Sequence, residues 1–291
     1  MKEEMLNPMK TVEKLRGKVV MVTGANAGMG KEISLALART EANLLMVSRD
    51  RARGEAARAD VEQKTGDKAV ELLIADLSSQ QSIRSLVKEF EAHHDRLDVL
   101  INNAGVSLPR RLDTVDGLET VFATNHLGPF LLTNLLLPVL TAAAPSRIVT
   151  VSSGAQAMGR IDFDDLQSKR SYNEIRVYNQ TKLANIMFTY ELARRLSGSG
   201  VTANAVEPGF VKTNLKVPFP FSIFSFMRGA AVDGAQPTVF LATSRDVEGL
   251  SGTFFSHKGV AIKSSKMSYD EGAARRLWQV SAQLTHFDET R

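Results

Sequence analysis

The sequence predicts a single doubly wound α/β domain, a mostly parallel seven-stranded sheet with helices on both faces. Three observations predict it. Short apolar, β-branched runs alternate with helically spaced segments from residue 18 to residue 206, which is the order that βαβ units produce. No Pro-, Gly- or Ser-rich linker and no internal repeat divides the 291 residues, a length that suits one large domain with a substantial core. The runs end in polar or glycine-rich residues, the edge where sheets of this kind bind ligands.

The elements follow in order. Residues 18–23 are apolar and β-branched, breaking at Gly24, and a helix over 30–39 follows with Ile33, Leu35, Leu37 and Ala38 on its spacing. A strand over 43–47, a charged helix over 50–64, a strand over 69–75 and a helix over 80–93 come next. The remaining alternation is strand 97–101, helix 116–140, strand 147–151, helix 174–196 and strand 201–206. The strand ends read Thr23-Gly24, Ser48-Arg49, Asp76, Asn102-Asn103-Ala104-Gly105, Ser152-Ser153 and Glu207-Pro208-Gly209. Turn chemistry alone accounts for any one of them; six together point to a ligand edge.

Composition excludes several classes. Apolar residues at 43% and charged residues at 23% leave an ordinary globule rather than a disordered or fibrous chain. The absence of cysteine removes disulfides, thiolate nucleophiles and thiolate zinc sites, and fits a reducing, cytoplasmic setting. Lys and Arg outnumber Asp and Glu by 36 to 32 without a basic block, so no nucleic-acid partner is expected. Residues 1–16 mix charges, hold no apolar run, and read as a polar extension before a domain over 17–291, with no stable membrane anchor. The five histidines lack metal-ligand spacing, and no metal is expected.

Between the first strand and helix, Gly24, Gly28 and Gly30 stand in a G-x-x-x-G-x-G pattern with Asn26 and Met29 among them. Glycine permits the tight turn and close approach to a pyrophosphate, while the helix N-terminus offers free N–H groups. The pattern predicts dinucleotide binding. At the second strand end an acid would bind a ribose 2′-hydroxyl, whereas Ser48-Arg49 welcomes a 2′-phosphate. NADP(H) is therefore preferred over NAD(H), and Asp50 reads as the cap of the next helix. Asp76, followed by Leu77, is equally readable as an adenine contact or a turn aspartate.

Tyr178 and Lys182 are spaced i, i+4 within a predicted helix, which places them one turn apart on one face. An ammonium beside a phenol favours the phenolate and is expected to lower its pKa from about 10 toward neutrality. Such a phenol is a usable general acid or base. Ser153, closing the preceding strand, is placed to donate a hydrogen bond to a substrate oxygen.

With Asn102-Asn103-Ala104-Gly105, Asn125-His126-Leu127-Gly128, Val151-Ser152-Ser153 and Pro208-Gly209 in this order, the chain resembles the short-chain dehydrogenase/reductase family. Within it the retinol-dehydrogenase-like branch is the nearer likeness, from about Lys18 to the C-terminal helix. The resemblance implies a Rossmann-type fold with Tyr178 as acid/base, Lys182 lowering its pKa and holding the nicotinamide ribose, and Ser153 orienting the reacting oxygen. It implies a water-linked proton relay through Lys182 that Asn125 completes. It also places Asn103, Ala104 and Gly105 against the adenine ribose, and Gly209, Val211 and Thr213 against the nicotinamide carboxamide and phosphates.

The implied chemistry is reversible hydride transfer between nicotinamide and a carbonyl carbon. Ser153 and Tyr178 are 25 positions apart, and residues 159–171 would form an extra loop beside the site. Glu207 departs from the branch, where a histidine or small polar residue is usual; its carboxylate either nears the nicotinamide or turns to solvent. Residues 214–235 form the expected substrate flap, with Phe219, Phe221, Phe224 and Phe226 and two prolines between 218 and 226. A lid over an apolar substrate, a core or oligomer contact, and shallow membrane contact are the three readings of that segment.

The function expected is an NADP(H)-dependent oxidoreductase interconverting a carbonyl and an alcohol on a bulky apolar small molecule, as monomer or homodimer. A cofactor-binding sensor without catalysis and a carbon–carbon double-bond reductase are the rivals.

Overall fold

The computed structural model describes residues 12–209 and 231–288. The expected contacts of Val211 and Thr213, residues 1–11 of the polar extension, and positions 214–230 of the flap lie outside them.

Strands β1 (Val19–Thr23), β2 (Asn43–Ser48), β3 (Val70–Ile74), β4 (Val99–Asn102), β5 (Ser146–Val151), β6 (Val201–Val206), β7 (Phe254–Phe255) and β8 (Ala261–Ile262) form one sheet, ordered β3-β2-β1-β4-β5-β6-β7-β8. All neighbours are parallel except β7 and β8. The sheet thus has eight strands where seven are expected, because the chain turns back after β7 into a two-residue antiparallel edge whose side chains are exposed. So short and solvated an edge leaves no hydrophobic run for a sequence reading to detect.

Strands β1 and β2 are buried throughout apart from Asn43, as strands covered on both faces must be. One face packs on α1 (Gly28–Ala38), α2 (Arg51–Thr65) and α7 (Ala231–Thr243). The other packs on α3 (Gln80–His93), α5 (Gly128–Ala142), α6 (Glu174–Arg195) and α8 (Glu271–Leu284). In α3 the buried residues are Ile83, Leu86, Val87 and Phe90, one stripe at i, i+3, i+4 and i+7. Each such burial contributes about 1.5–3 kcal/mol.

The helix expected from residue 116 starts later, as α4 (Thr120–Phe122), and winds through one wide π turn, Ala123–Leu127, into α5. Thr114 Oγ1 accepts from the Asp116 and Leu118 amides and Gly117 has φ +71°, so the chain is still turning there. The buried Glu119 carboxylate then caps the helix, accepting from the Val121 and Phe122 amides at 2.8 and 2.7 Å. Asp98, buried at the base of β4, accepts from the Val19 amide, Lys18 and Arg96 and so stitches β1 to β4.

Because β1 and β4 are neighbours while β2 leaves on one side and β5 on the other, the strand order reverses between them. A crevice opens above their carboxyl ends. The strand ends singled out above all lie along that edge of the sheet.

Candidate active site

The turn after β1 is shaped by close approach. An added Cβ at Gly30 would lie 2.2 Å from the Gly24 carbonyl oxygen and 2.5 Å from Asn103 Nδ2, and one at Gly24 would lie 2.9 Å from Ala104 Cα. Gly28 differs: its φ is +53° and nothing stands within 4 Å of its missing side chain, so the backbone there faces open space. Helix α1 begins at that open turn with no side chain capping it, whereas α2, α3, α6 and α8 are capped by Asp50, Ser79, Asn173 and Asp270. Its first amides keep their hydrogens for an external acceptor, the donor set a pyrophosphate requires. The residues present fit a dinucleotide.

Thr23, named above as a polar strand end but given no role of its own, organises this turn. Its Oγ1 donates to the Ile101 carbonyl at 3.1 Å and accepts from the Asn103 and Ala104 amides, while Asn103 Nδ2 donates to the Thr23 carbonyl at 2.8 Å. Asn103 thereby ties β4 to β1.

Along the same edge Ser48 is buried and its hydroxyl donates to the Asp50 carbonyl, while Arg49 is exposed beside the crevice. Asp50 caps α2 through the Arg53 amide, as expected. Asp76 Oδ1 accepts from both the amide and the hydroxyl of Ser78, a turn role, and Leu77 is buried in the core. Asn26 and Met29 are half-buried in the glycine turn, Met29 packing on the core.

The second cluster gathers where β5 meets α6. Ser152 and Ser153 point to different tasks: Ser152 Oγ donates to the Lys182 carbonyl at 2.8 Å, while Ser153 Oγ accepts from the Ala155 amide at 3.2 Å and lies on the Tyr178 side. Lys182 is buried, its Nζ donating to the Val151 carbonyl at 3.2 Å and standing 5.4 Å from the Tyr178 ring centre. The π turn delivers Asn125 into the same space. Its Oδ1 accepts from the Val106 amide at 2.7 Å, and its Nδ2 donates to the Val106 carbonyl and to Thr181 Oγ1. An added Cβ at Gly105 would sit 3.5 Å from Asn125 Oδ1 and 3.7 Å from Lys182 Nζ. Gly105 leaves open the gap between the two.

The lowered phenol pKa expected from Tyr178 and Lys182 is not what this geometry gives. Burial pushes Tyr178 up to about 12, with the neighbouring Ser153 hydroxyl only partly offsetting it, and burial pushes Lys182 down to about 8. The ammonium sits beside the ring and bonds Val151, not the hydroxyl, so desolvation dominates over charge.

The expected loop over 159–171 lies against this cluster. The Asp162 amide donates to Gln180 Oε1 and Gln180 Nε2 donates to the Leu166 carbonyl, while Tyr172 Oη bonds the Leu108 carbonyl at 2.7 Å. Gly209 has φ +71° and lies against His257. Among the described residues no cluster of His, Asp and Glu could hold a metal, and no helix is long and apolar enough to cross a membrane.

The model of the short chain dehydrogenase family matches residues 18–220. The chain belongs to the short-chain dehydrogenase family. This dehydrogenase is 46% identical to human (Homo sapiens) retinol dehydrogenase 11 over 93% of its own length and 86% of the relative's, and 43% identical to human retinol dehydrogenase 14 over 92% and 86%. It therefore sits in the retinol-dehydrogenase-like branch and is an oxidoreductase interconverting an alcohol and a carbonyl. Among solved structures, an uncharacterized protein from Mycobacterium paratuberculosis superposes with a TM-score of 0.80 at 35% identity, covering 96% of this chain and 97% of that one. The Pseudomonas aeruginosa RhlG/NADP active-site complex superposes at 0.69 with 25% identity, covering 84% and 95%.

Proposed function

We propose that this dehydrogenase uses NADP(H) to interconvert a ketone or aldehyde with its alcohol on a bulky apolar substrate, with Tyr178 as proton donor and acceptor. The observation that carries the reading is the convergence of Ser153 and Tyr178 beside the buried Lys182, whose Nζ lies 5.4 Å from the Tyr178 ring centre one helical turn on. Two hydroxyls that converge on one spot can both turn to one substrate oxygen.

NADPH, when bound along the glycine turn, supplies the hydride to the carbonyl carbon. The protein's residues do the rest. Ser153 donates a hydrogen bond to the carbonyl oxygen and fixes its position; Tyr178 releases its hydroxyl proton to that oxygen as the C–O π pair moves onto it. Lys182 holds positive charge beside the phenolate left behind and passes a proton back to it, resupplied from solvent through a water-linked relay that Asn125, across the Gly105 gap, completes by position. Oxidation of the alcohol runs the same steps in reverse.

Exposed Arg49 after β2 supports the preference for NADP(H), since its guanidinium can take a 2′-phosphate in paired hydrogen bonds. The relatives named for retinol, and the four Phe between residues 219 and 226, support a long apolar substrate. The test is consumption of NADPH and of NADH against a panel from small aldehydes to retinoid-like aldehydes and polycyclic ketones, with products identified. Turnover favouring NADPH and the bulky carbonyls is expected; retained carbonyl in the product would replace this reading with double-bond reduction. Arg49→Ala should weaken NADPH binding at least about tenfold more than NADH, the scale of a lost charged hydrogen bond, and equal losses would remove the 2′-phosphate contact.

A further inference from the structure

Glu207 is the residue at the ligand edge whose role neither the fold nor the proton chemistry absorbs. It follows β6, its backbone fixed by an amide that donates to the Phe255 carbonyl at 2.9 Å. The side chain does not turn to solvent: it is only 20% exposed. Carboxylate Oε2 stands 3.1 Å from where a side chain at Gly154 would begin, directly after Ser153. Among the described residues the one basic group near it is the His257 imidazole on the turn after β7, whose Nδ1 is 3.9 Å from Oε1, and His257 itself is half exposed. Among the described residues no other donor reaches the carboxylate.

A half-buried carboxylate with so few donors is costly to a fold. Burial raises its pKa, opposed by His257, and shifts of that origin beside a reacting centre mark functional groups. Gly154 leaves the space the carboxylate leans into. Since Ser153 is the group that takes the substrate oxygen, Glu207 stands one residue from that oxygen's seat.

We propose that Glu207 is a specificity-determining residue whose carboxylate reads charge in the substrate pocket, favouring substrates with a cationic or hydrogen-bond-donating group and rejecting anionic ones. The inference rests on the substrate seat assigned to Ser153 and Tyr178. A largely buried carboxylate acts on any charge placed beside it, whatever the rest of the substrate. It thus separates an alcohol or aldehyde from the carboxylic acid it would become on further oxidation.

The experiment uses the full chain and three benzaldehydes matched in size: 4-tert-butyl, its charged isostere 4-trimethylammonio, and 4-carboxy. Their dissociation constants from the enzyme–NADP⁺ complex are measured by calorimetry, and kcat/KM with NADPH alongside. In Glu207→Gln, an isosteric change, the preference for trimethylammonio over tert-butyl should fall at least about fivefold and that against carboxy should relax, the scale of one screened charge pair. Glu91→Gln on the exposed face of α3 removes the same net charge far from the site and should leave both ratios unchanged.

Unchanged ratios in Glu207→Gln, equal shifts in both variants, or no binding of any benzaldehyde would overturn the assignment. Shifted binding ratios without turnover of any of the three would keep Glu207 as the charge reader and instead count against carbonyl reduction.

Discussion

Tyr178 carries the proposed proton chemistry with a pKa of about 12 and Lys182 with one of about 8, and these values decide how the rate should depend on pH. Tyr178 keeps its proton across the working range, so it is poised as an acid and carbonyl reduction needs no prior protonation. Lys182 is an ammonium below about 8 and a neutral amine above it, and only the ammonium stabilises the phenolate left by proton transfer. Reductive kcat/KM should therefore fall as pH rises through about 8, and a profile flat to pH 10 would separate Lys182 charge from the chemistry. Tyr178→Phe should cost about 10²–10⁴ in turnover while NADPH still binds, the usual worth of a positioned acid; binding is followed by fluorescence titration and the rate by NADPH absorbance. Ser153, Tyr178 and Lys182 were legible as candidates because a Ser after a strand and a Tyr-x-x-x-Lys on a helix leave fixed spacings, whereas Asn125 entered only through the family resemblance. Their protonation was not legible, because sequence gives the spacing of Tyr178 and Lys182 but not that Nζ turns to the Val151 carbonyl.

Elements place these residues more tightly than periodicity foretells. The π turn Ala123–Leu127 feeds Asn125 between Val106 and Thr181, and such turns recur at functional sites because the extra residue re-aims a side chain. Nothing in an apolar repeat announces it, since helical spacing on either side reads through. The same blindness set the helix start at 116, where Thr114 and Glu119 side chains, not hydrophobic spacing, decide the boundary. The glycine turn was legible because glycine is the one residue its backbone tolerates. Gly30→Ala tests the turn as a unit, since its Cβ would meet the Gly24 carbonyl and Asn103 amide nitrogen at 2.2 and 2.5 Å. The cost is backbone movement of about 1–3 kcal/mol, a lowered melting temperature, and weakened binding of both NADPH and NADH. A variant that melts and binds like the parent would place the turn away from the cofactor.

At the scale of the whole molecule, the crevice exists because two half-sheets diverge from β1 and β4, and Asp98 joins those strands at the opposite end from the site. Its carboxylate is 3% exposed and accepts from the Val19 amide, Lys18 Nζ and the Arg96 guanidinium. Burial alone would raise its pKa; those hydrogen bonds outweigh burial and hold it below the usual carboxylate value. A folded-state pKa below the unfolded one means a stabilising contribution present in full above about pH 4 and lost as pH falls through the folded value. Asp98→Asn keeps the shape but discards the charge, leaving Lys18 and Arg96 without the carboxylate they share and one acceptor short. It should destabilise the fold by about 2–4 kcal/mol at pH 7, the scale of a broken buried pair with exposed cations. The gap between parent and variant should then narrow as pH drops below about 4, because the parent loses there what the variant never had. Urea denaturation of both proteins at pH 7 and at steps down to pH 3 measures it. A constant gap would mean that Asp98 acts through packing alone and that the two half-sheets are joined by their ladder and core.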